Sequence, residues 1–148
     1  MSLKISPGLL ERIRDHGRTA YPHECCGLLL GNVNHSIKSV TGLKPVANSR
    51  EDSPQNRYLI SPHDWLEAER ETRKAGLDII GVYHSHPDHP PRPSEFDREH
   101  AFPWYSYVIV SITGGKAGDL RSWLLRDDRS EFEPEDVVSF DEGREQCQ

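Results

Sequence analysis

The stretch LDIIGVYHSHPDHPPRPSEFD, residues 77–97, carries the pattern that decides the fold. It begins with residues that favour a buried strand, and this strand runs directly into two histidines. Side chains alternate across a strand, so His84 and His86 are expected on one face, together with Ile80 and Val82. The sequence therefore predicts two neighbouring imidazole rings that can contact one ion.

The residues after this strand predict how a third polar group reaches the histidines. The segment DHPPRP, residues 88–93, contains three prolines and is expected to form a stiff loop. SEFDREHAF, residues 94–102, then predicts a short helix on which Ser94 and Asp97 share one face. The same two residues also fit a capping box, in which each side chain bonds a backbone amide. A metal-ligand role and a helix-capping role are therefore both open for Asp97.

Two imidazoles and one carboxylate are three of the four ligands that a hydrolytic zinc ion needs, and they leave one position for water. The sequence predicts that His84, His86 and Asp97 hold such an ion. Non-haem iron oxygenases use the same ligand types. In the sequences of those enzymes, however, the carboxylate residue usually lies next to the first histidine, and the second histidine is far along the chain. The H-x-H spacing of this chain favours a metal-dependent hydrolase.

A zinc-bound water also needs a base that takes its proton, and a glutamate outside the ligand set is the usual choice. Glu24 is the candidate, because in YPHECCGLLLG, residues 21–31, it lies at the mouth of a buried strand. Spacing alone does not choose Glu24 over Glu51 or Glu95. The assignment of Glu24 as the general base is therefore a hypothesis that depends on which glutamate lies near the histidines in the fold.

The remaining elements predict an α/β (α+β) fold built around a mixed sheet. A serine followed by a proline marks two helix starts, and glycines mark the expected helix ends. The predicted helices cover residues 6–17 and 61–76, and the other predicted strands cover residues 26–31, 35–46 with a break near Gly42, 57–61, 105–113 and 120–127.

Length and composition predict one domain at residues 1–130 and an acidic tail at residues 131–148. The chain has 148 residues and 34% hydrophobic content, which suits a single core. A net charge of −6, with no basic run among aromatics, argues against nucleic-acid binding. No apolar run fits a membrane span or a signal peptide, so a cytoplasmic location is expected. The three cysteines form no C-x-x-C pair and are expected to be reduced.

The motifs as a set resemble a known family. Glu24 within PHECCGLLLG, together with H-S-H-P-x6-S-x2-D at residues 84–97, resembles the JAMM (MPN-plus) metallopeptidases, especially their compact prokaryotic members. The resemblance runs from about residue 5 to about residue 127 and covers the order of the elements. It implies a curved mixed β-sheet flanked by helices, similar to the fold of the cytidine deaminases.

The resemblance also implies a role for each motif residue. The glutamate of the family is the general acid and base, two histidines and an aspartate hold one zinc ion, and a serine hydroxyl steadies the oxyanion. The resemblance thus implies that Glu24 is the general acid and base, and that Ser94 stabilises the oxyanion. The implied zinc ligands are His84, His86 and Asp97.

Members of that family cleave peptide or isopeptide bonds, often after the C-terminal Gly-Gly of ubiquitin or a ubiquitin-like protein. Prokaryotic relatives are linked to small sulfur carriers of ubiquitin-like fold. The chain is too short for the long insertions with which eukaryotic relatives recognise ubiquitin chains. The resemblance therefore implies a zinc-dependent peptidase or isopeptidase whose substrate is a ubiquitin-like sulfur carrier.

Three other functions compete with this one. A zinc deaminase needs an H-x-E and a P-C-x-x-C pattern, and the sequence has neither. A thiol protease would use Cys25 or Cys26 beside His23, although Cys26 is expected to pack inside the buried strand. A non-catalytic MPN-type scaffold that only binds partners is the third, and the retained metal ligands favour catalysis over it.

Overall fold

The computed structural model describes residues 2–48 and 58–139. In this part of the chain, one mixed sheet closes into a barrel in the order β1-β3-β2-β4-β5-β6-β7. Strand β1 is parallel to β3 and β7, β4 is parallel to β5, and the other neighbours are antiparallel. The predicted mixed sheet with accompanying helices is confirmed. The elements are β1 (Ser2–Ile5), α1 (Pro7–Ala20), β2 (Cys26–Asn34), β3 (Ile37–Val46), α2 (Pro62–Lys74), β4 (Asp78–Pro87), α3 (Glu95–His100), β5 (Ser106–Thr113), β6 (Lys116–Leu125) and β7 (Phe132–Ser139).

Both helix starts that the serine-proline pairs predict are confirmed. The Oγ atom of Ser6 accepts a hydrogen bond from the Leu9 N–H at 3.3 Å, and the Oγ atom of Ser61 accepts one from the Asp64 N–H at 3.1 Å. Each bond satisfies an amide that has no partner inside its helix. Helix α2 also ends where expected, because Gly76 has a φ of +74°, a conformation that favours glycine.

Helix α1 does not end near Gly17, as the sequence predicted, but continues to Ala20. Gly17 is buried where α1 crosses the sheet, and a Cβ atom at this position would lie 2.7 Å from the Cδ1 atom of Ile112. The glycine therefore serves close packing of the helix on β5 instead of terminating the helix.

The pairing of β2 with β4 contains a β-bulge that moves one side chain to the other face. The register shifts between Leu29 and Leu30, and Ile80 is the extra residue on β4. Ile80 packs in the core cluster that includes α1, whereas Val82 packs in the cluster that includes α2. The prediction that Ile80 shares a face with His84 is therefore wrong, while Val82 keeps the predicted alternation.

The strand predicted at residues 57–61 is also wrong for the residues that the structure describes. Residues 58–60 lie in no strand, and residue 57 lies outside the described residues. The N–H of Leu59 donates to the Oδ1 atom of Asn48 at 3.0 Å, so a side chain takes the place of a strand partner.

The sheet extends beyond the predicted domain boundary at residue 130. Strand β7 (Phe132–Ser139) pairs with β6 on one side and with β1 on the other, which closes the barrel. The first part of the expected acidic tail is therefore part of the domain, and residues 140–148 lie outside the described residues.

No helix within residues 2–48 and 58–139 is both long and apolar enough to span a membrane.

Candidate metal centre and active site

The two motif histidines lie side by side at the end of β4, as the sequence predicted. Their ring centroids are 5.0 Å apart, and His84 and His86 are 1% and 7% exposed respectively. Strand β4 lies between β2 and β5 in the sheet, so the backbone that carries the rings is paired on both sides. The barrel therefore holds both imidazoles in fixed positions.

Helix α3 brings Asp97 to this histidine pair. The Oδ2 atom of Asp97 lies 3.2 Å from Nε2 of His86, and its Oδ1 atom lies 3.9 Å from Nε2 of His84. The carboxylate also accepts the Ser94 N–H at 2.8 Å, while the Asp97 N–H donates to the Oγ atom of Ser94 at 3.1 Å. The capping box is confirmed, and the same carboxylate contacts both imidazoles.

Glu24 joins the cluster just before β2 begins. Its Oε1 atom lies 3.4 Å from Nδ1 of His84, and its side chain is buried. One ligand atom each from Glu24, His84 and His86 lies within 4.8 Å of the others. Of the other glutamates that spacing left open, Glu95 is exposed and pairs with Arg98, and Glu51 lies outside the described residues. The fold therefore brings Glu24, not Glu95, to the histidines.

Several atoms of this cluster lack the partners that burial demands. Among residues 2–48 and 58–139, Oε1 of Glu24 and both ring nitrogens of His84 are buried without a hydrogen bond. Leaving such groups unpaired costs about 1–3 kcal/mol each, so an unpaired set points to a bound ligand. A tetrahedral zinc ion with bonds of about 2.0–2.1 Å separates its ligand atoms by about 3.4 Å. The 3.2 Å contact between Asp97 and His86 is close to that spacing, and the 3.9 Å contact with His84, made by the other carboxylate oxygen, is longer.

Charge interactions within the cluster keep the carboxylate of Asp97 in its negatively charged form. Burial alone would raise the pKa of Asp97, but the neighbouring His84 and His86 and the Ser94 N–H outweigh it and hold that pKa below its usual range. Burial alone would lower the pKa of His86, but Asp97 and the Pro90 carbonyl outweigh it and raise that pKa. Asp97 is therefore ionised, and its carboxylate favours a positive charge on His86.

The loop between the histidines and α3 is held by side chains from three elements. Nδ1 of His86 lies 2.9 Å from the Pro90 carbonyl, Ser111 Oγ donates to the His89 carbonyl at 2.7 Å, and Trp123 Nε1 donates to the Pro91 carbonyl at 3.0 Å. Because a carbonyl only accepts, this bond places a proton on Nδ1 of His86, so Nε2, which faces Asp97, is the nitrogen that could bind a metal. The predicted stiffness of this loop comes from these bonds as well as from its prolines.

Sequence reasoning missed two residues that support the cluster. The Nδ2 atom of Asn48 donates to the Glu24 carbonyl at 3.2 Å, and the same amide accepts the Leu59 N–H. Next to Leu59, the ring of Tyr58 stacks on the ring of His84 with centroids 4.3 Å apart. These contacts join positions that are far apart in the chain, so no local spacing could have indicated them.

The two buried cysteines are unsuited to a thiol mechanism. Burial raises the pKa of Cys25 to about 11 and the pKa of Cys26 to about 12. The thiolate is the reactive form, so both side chains remain protonated and unreactive near neutral pH. His23, the proposed partner, is exposed on the surface.

A cleft of about 360 Å³ opens beside the cluster and gives it access to solvent. Its walls combine the candidate base, one candidate metal ligand and the helix-capping serine with three residues of the proline loop. The lining residues are Glu24, His86, His89, Pro90, Arg92 and Ser94.

The comparisons with known proteins identify the family of this chain. Residues 6–126 match the family described as prokaryotic homologues of the JAB domain. The chain is 36% identical over 107 residues to a protein of Haloferax volcanii named desampylase, and the match covers 72% of this chain and 75% of the relative. It is 34% identical over 115 residues to a Thermus thermophilus protein named probable TtuB-protein conjugate cleaving protease, and that match covers 78% of this chain and 74% of the relative.

A solved structure shares the fold of this chain. The solution structure of a protein of Desulfitobacterium hafniense superposes with a TM-score of 0.83 at 32% identity, and the match covers 95% of this chain and 94% of that one. The family match at residues 6–126 spans most of the chain. The chain belongs to the family of prokaryotic homologues of the JAB domain.

Proposed function

We propose that this protein is a zinc-dependent peptidase or isopeptidase that hydrolyses a bond after the C-terminal Gly-Gly of a ubiquitin-like protein, with a small sulfur carrier as the substrate. The observation that carries the proposal is the convergence of Glu24, His84, His86 and Asp97 at one buried point beside an open cleft. The relatives named desampylase and probable TtuB-protein conjugate cleaving protease support hydrolysis of protein conjugates.

His84, His86 and Asp97 would hold the metal. Two imidazoles with one carboxylate form a donor set that suits zinc and leaves room for a further ligand. When bound, the ion supplies Lewis acidity, which makes water a better nucleophile and a carbonyl a better electrophile. The Nδ1 bond of His86 and the capping bonds of Asp97 orient two of these ligands before the metal arrives.

Glu24 would carry the proton. Its Oε1 atom lies in the cluster, is buried and has no hydrogen-bond partner within the described residues, so it is available to a water in the cleft. A carboxylate in this position takes a proton from the attacking water and returns it to the departing amine. Asn48 donates to the Glu24 carbonyl, which fixes the backbone that carries the carboxylate.

Ser94 would stabilise the negative oxygen that develops on the substrate. Its Oγ atom accepts the Asp97 N–H, and a hydroxyl that accepts one bond still has its own proton to donate. Ser94 lines the cleft and is exposed, so this proton can reach a bound carbonyl. Capping the helix and assisting the reaction are therefore compatible roles.

The proposal is tested with sulfur-carrier fusions that extend beyond the diglycine, either as a linear peptide or through a lysine side chain. The zinc-loaded protein is expected to release the segment after Gly-Gly, as seen by mass spectrometry of intact products. The zinc-stripped protein and the Glu24→Gln variant are the controls. If no fusion in the panel is cleaved while zinc is bound, the non-catalytic scaffold becomes the better description.

Substitutions at Ser94 separate its two roles. We expect Ser94→Ala to lower kcat by about 10²-fold because an oxyanion donor is lost. The same change removes the helix cap and is expected to cost about 1 kcal/mol of stability.

Ser94→Gly is the matched variant, because glycine caps a helix at a cost of only a few tenths of a kcal/mol. It is expected to lose as much activity as Ser94→Ala while unfolding at nearly the wild-type urea concentration. Full activity in either variant would show that the hydroxyl has no part in the reaction.

A further inference from the structure

The cleft beside the metal cluster contains a cation that the proposed mechanism does not use. Arg92 lines this cleft together with Glu24, His86 and Ser94, and its side chain is exposed to solvent. A guanidinium presents five N–H donors in a planar fork that matches a carboxylate. Arg92 therefore lies in the same cleft as the candidate base, where it can bind an anionic ligand.

Arg92 differs from many other arginines of the protein in having no carboxylate partner. In the described residues, ion pairs neutralise arginines elsewhere on the surface, at positions 14, 18, 98, 121 and 126. Within residues 2–48 and 58–139, Arg92 forms no such pair, although the chain as a whole has a net charge of −6. Its guanidinium is therefore available to a ligand.

The backbone that carries Arg92 is fixed before any ligand binds. The main-chain N–H of Arg92 donates to the Pro90 carbonyl at 2.8 Å, and that carbonyl also contacts His86. Trp123 holds the carbonyl of Pro91, and Pro93 restricts the other side of the arginine. A ligand then has to order only the side chain, which reduces the entropic cost of binding.

We propose that Arg92 binds a carboxylate on the first residue after the cut. This inference rests on the proposed function, because the two glycines before the cut bring no charged side chain into the cleft. The carboxylate must then belong to the leaving segment, whose amine is the group that Glu24 protonates. An α-carboxylate lies two bonds from its own α-amine nitrogen, so one cleft can hold both groups. The lysine of an isopeptide bond presents only its aliphatic stem beside its ε-amine.

A carboxylate at this place has two sources, a free C-terminus or an acidic side chain. Three semisynthetic sulfur-carrier fusions distinguish them, ending after the diglycine in alanine with a free carboxylate, alanine amide or aspartate amide. We expect kcat/KM to be about tenfold higher for the alanine acid than for the alanine amide, from one charge-assisted bond. A high value for the aspartate amide as well would assign binding to either source, and a low value would assign it to the C-terminus.

Variants of Arg92 connect this preference to the guanidinium. Arg92→Gln is expected to reduce the ratio between acid and amide to about one, mainly through KM, while the alanine amide is cleaved as by the wild type. Arg92→Lys should keep part of the preference, because an ammonium attracts a carboxylate without the planar fork. Arg70→Gln, an equal change of charge on the exposed face of α2, is the control and should keep the full ratio.

A binding measurement keeps this inference separate from the proposed function. In the zinc-loaded Glu24→Gln chain, titration with acetyl-Gly-Gly-Ala as acid or amide is followed through the side-chain NMR signal of Arg92. We expect the acid to bind about tenfold more tightly than the amide and Arg92→Gln to remove the difference. Such binding without cleavage of any fusion would leave the inference standing and overturn the proposed function. Equal affinity for acid and amide, or no binding of either, would overturn the inference even if the fusions are cleaved.

Discussion

Replacing Glu24 with glutamine is expected to lower kcat by about 10²–10⁴-fold, because a carboxamide cannot take a proton from water or return it to an amine. Glutamine has nearly the same shape, so the cleft and the metal ligands should remain in place. Burying an amide is also cheaper than burying an ionised carboxylate, so the melting temperature should not fall. Single-turnover cleavage of a sulfur-carrier fusion and zinc content by mass spectrometry measure the two effects.

Glu95→Gln is the matched control for this prediction. Glu95 stands near the start of α3, is exposed and pairs with Arg98, so it has the chemistry of Glu24 without its position. Its substitution is expected to change kcat by less than about twofold, as is usual for a surface ion pair. If Glu24→Gln kept a tenth or more of the wild-type activity, another group would have to be the base.

Signals that act within a few residues could be predicted from the sequence. The serines at positions 6, 61 and 94 each cap a helix as expected, because a cap is decided by one side chain and the amide three residues later. The strand that ends at the histidine pair was also predictable from its apolar run. Local hydrogen bonding therefore explains why these predictions are confirmed.

Contacts between distant strands could not be predicted in this way. Strand β7 looks like a polar tail because Glu135 points into the barrel, where its Oε1 atom accepts a hydrogen bond from Ser122 at 2.8 Å. The bulge at Ile80 depends on how β4 pairs with β2, which the sequence of β4 alone does not contain. Both features depend on partners chosen only when the barrel closes.

The residues of the candidate site likewise divide into those that a local sequence pattern predicts and those that only the fold brings together. The motif indicates Glu24, the histidines and Asp97 because residue type and spacing reflect their chemistry. Tyr58 and Asn48 support those residues by stacking on His84 and by bonding the Glu24 carbonyl, and neither contact follows from a pattern. Supporting residues of this kind are therefore visible only in the folded chain.

Replacing Asp97 with asparagine is expected to remove tight zinc binding and to reduce cleavage to background. Asparagine keeps an oxygen that can accept the Ser94 N–H, so the helix cap should survive. The lost charge should weaken zinc binding by more than about 10²-fold, since even residues that only orient metal ligands contribute up to that amount. Zinc at a thousandfold excess over its Kd should stabilise the wild type by about 4 kcal/mol, which raises its melting temperature by about 8–16 °C. Asp97→Asn should show almost none of this rise.

The chain itself contains the control for the capping role of Asp97. The sequence SPHD at residues 61–64, at the start of α2, repeats the serine and aspartate spacing of SEFD at residues 94–97. Asp64→Asn should therefore change stability by only about 0.3–1 kcal/mol, from the helix dipole, and leave zinc binding intact. Comparable loss of zinc in both variants would mean that helix stability, not coordination, controls the metal.

Zinc binding by the Glu24→Gln and Asp97→Asn variants shows which carboxylate is a metal ligand. Glu24 and Asp97 both approach His84, at 3.4 and 3.9 Å, so geometry alone allows either carboxylate to complete the site. If Asp97 is the ligand and Glu24 the base, zinc remains in Glu24→Gln and leaves Asp97→Asn, while both variants lose activity. The opposite result, with zinc lost from Glu24→Gln and kept in Asp97→Asn, would make Glu24 the ligand. Because that exchange would also remove the base from the proposed mechanism, zinc titration of the two variants tests the site and the reaction at once.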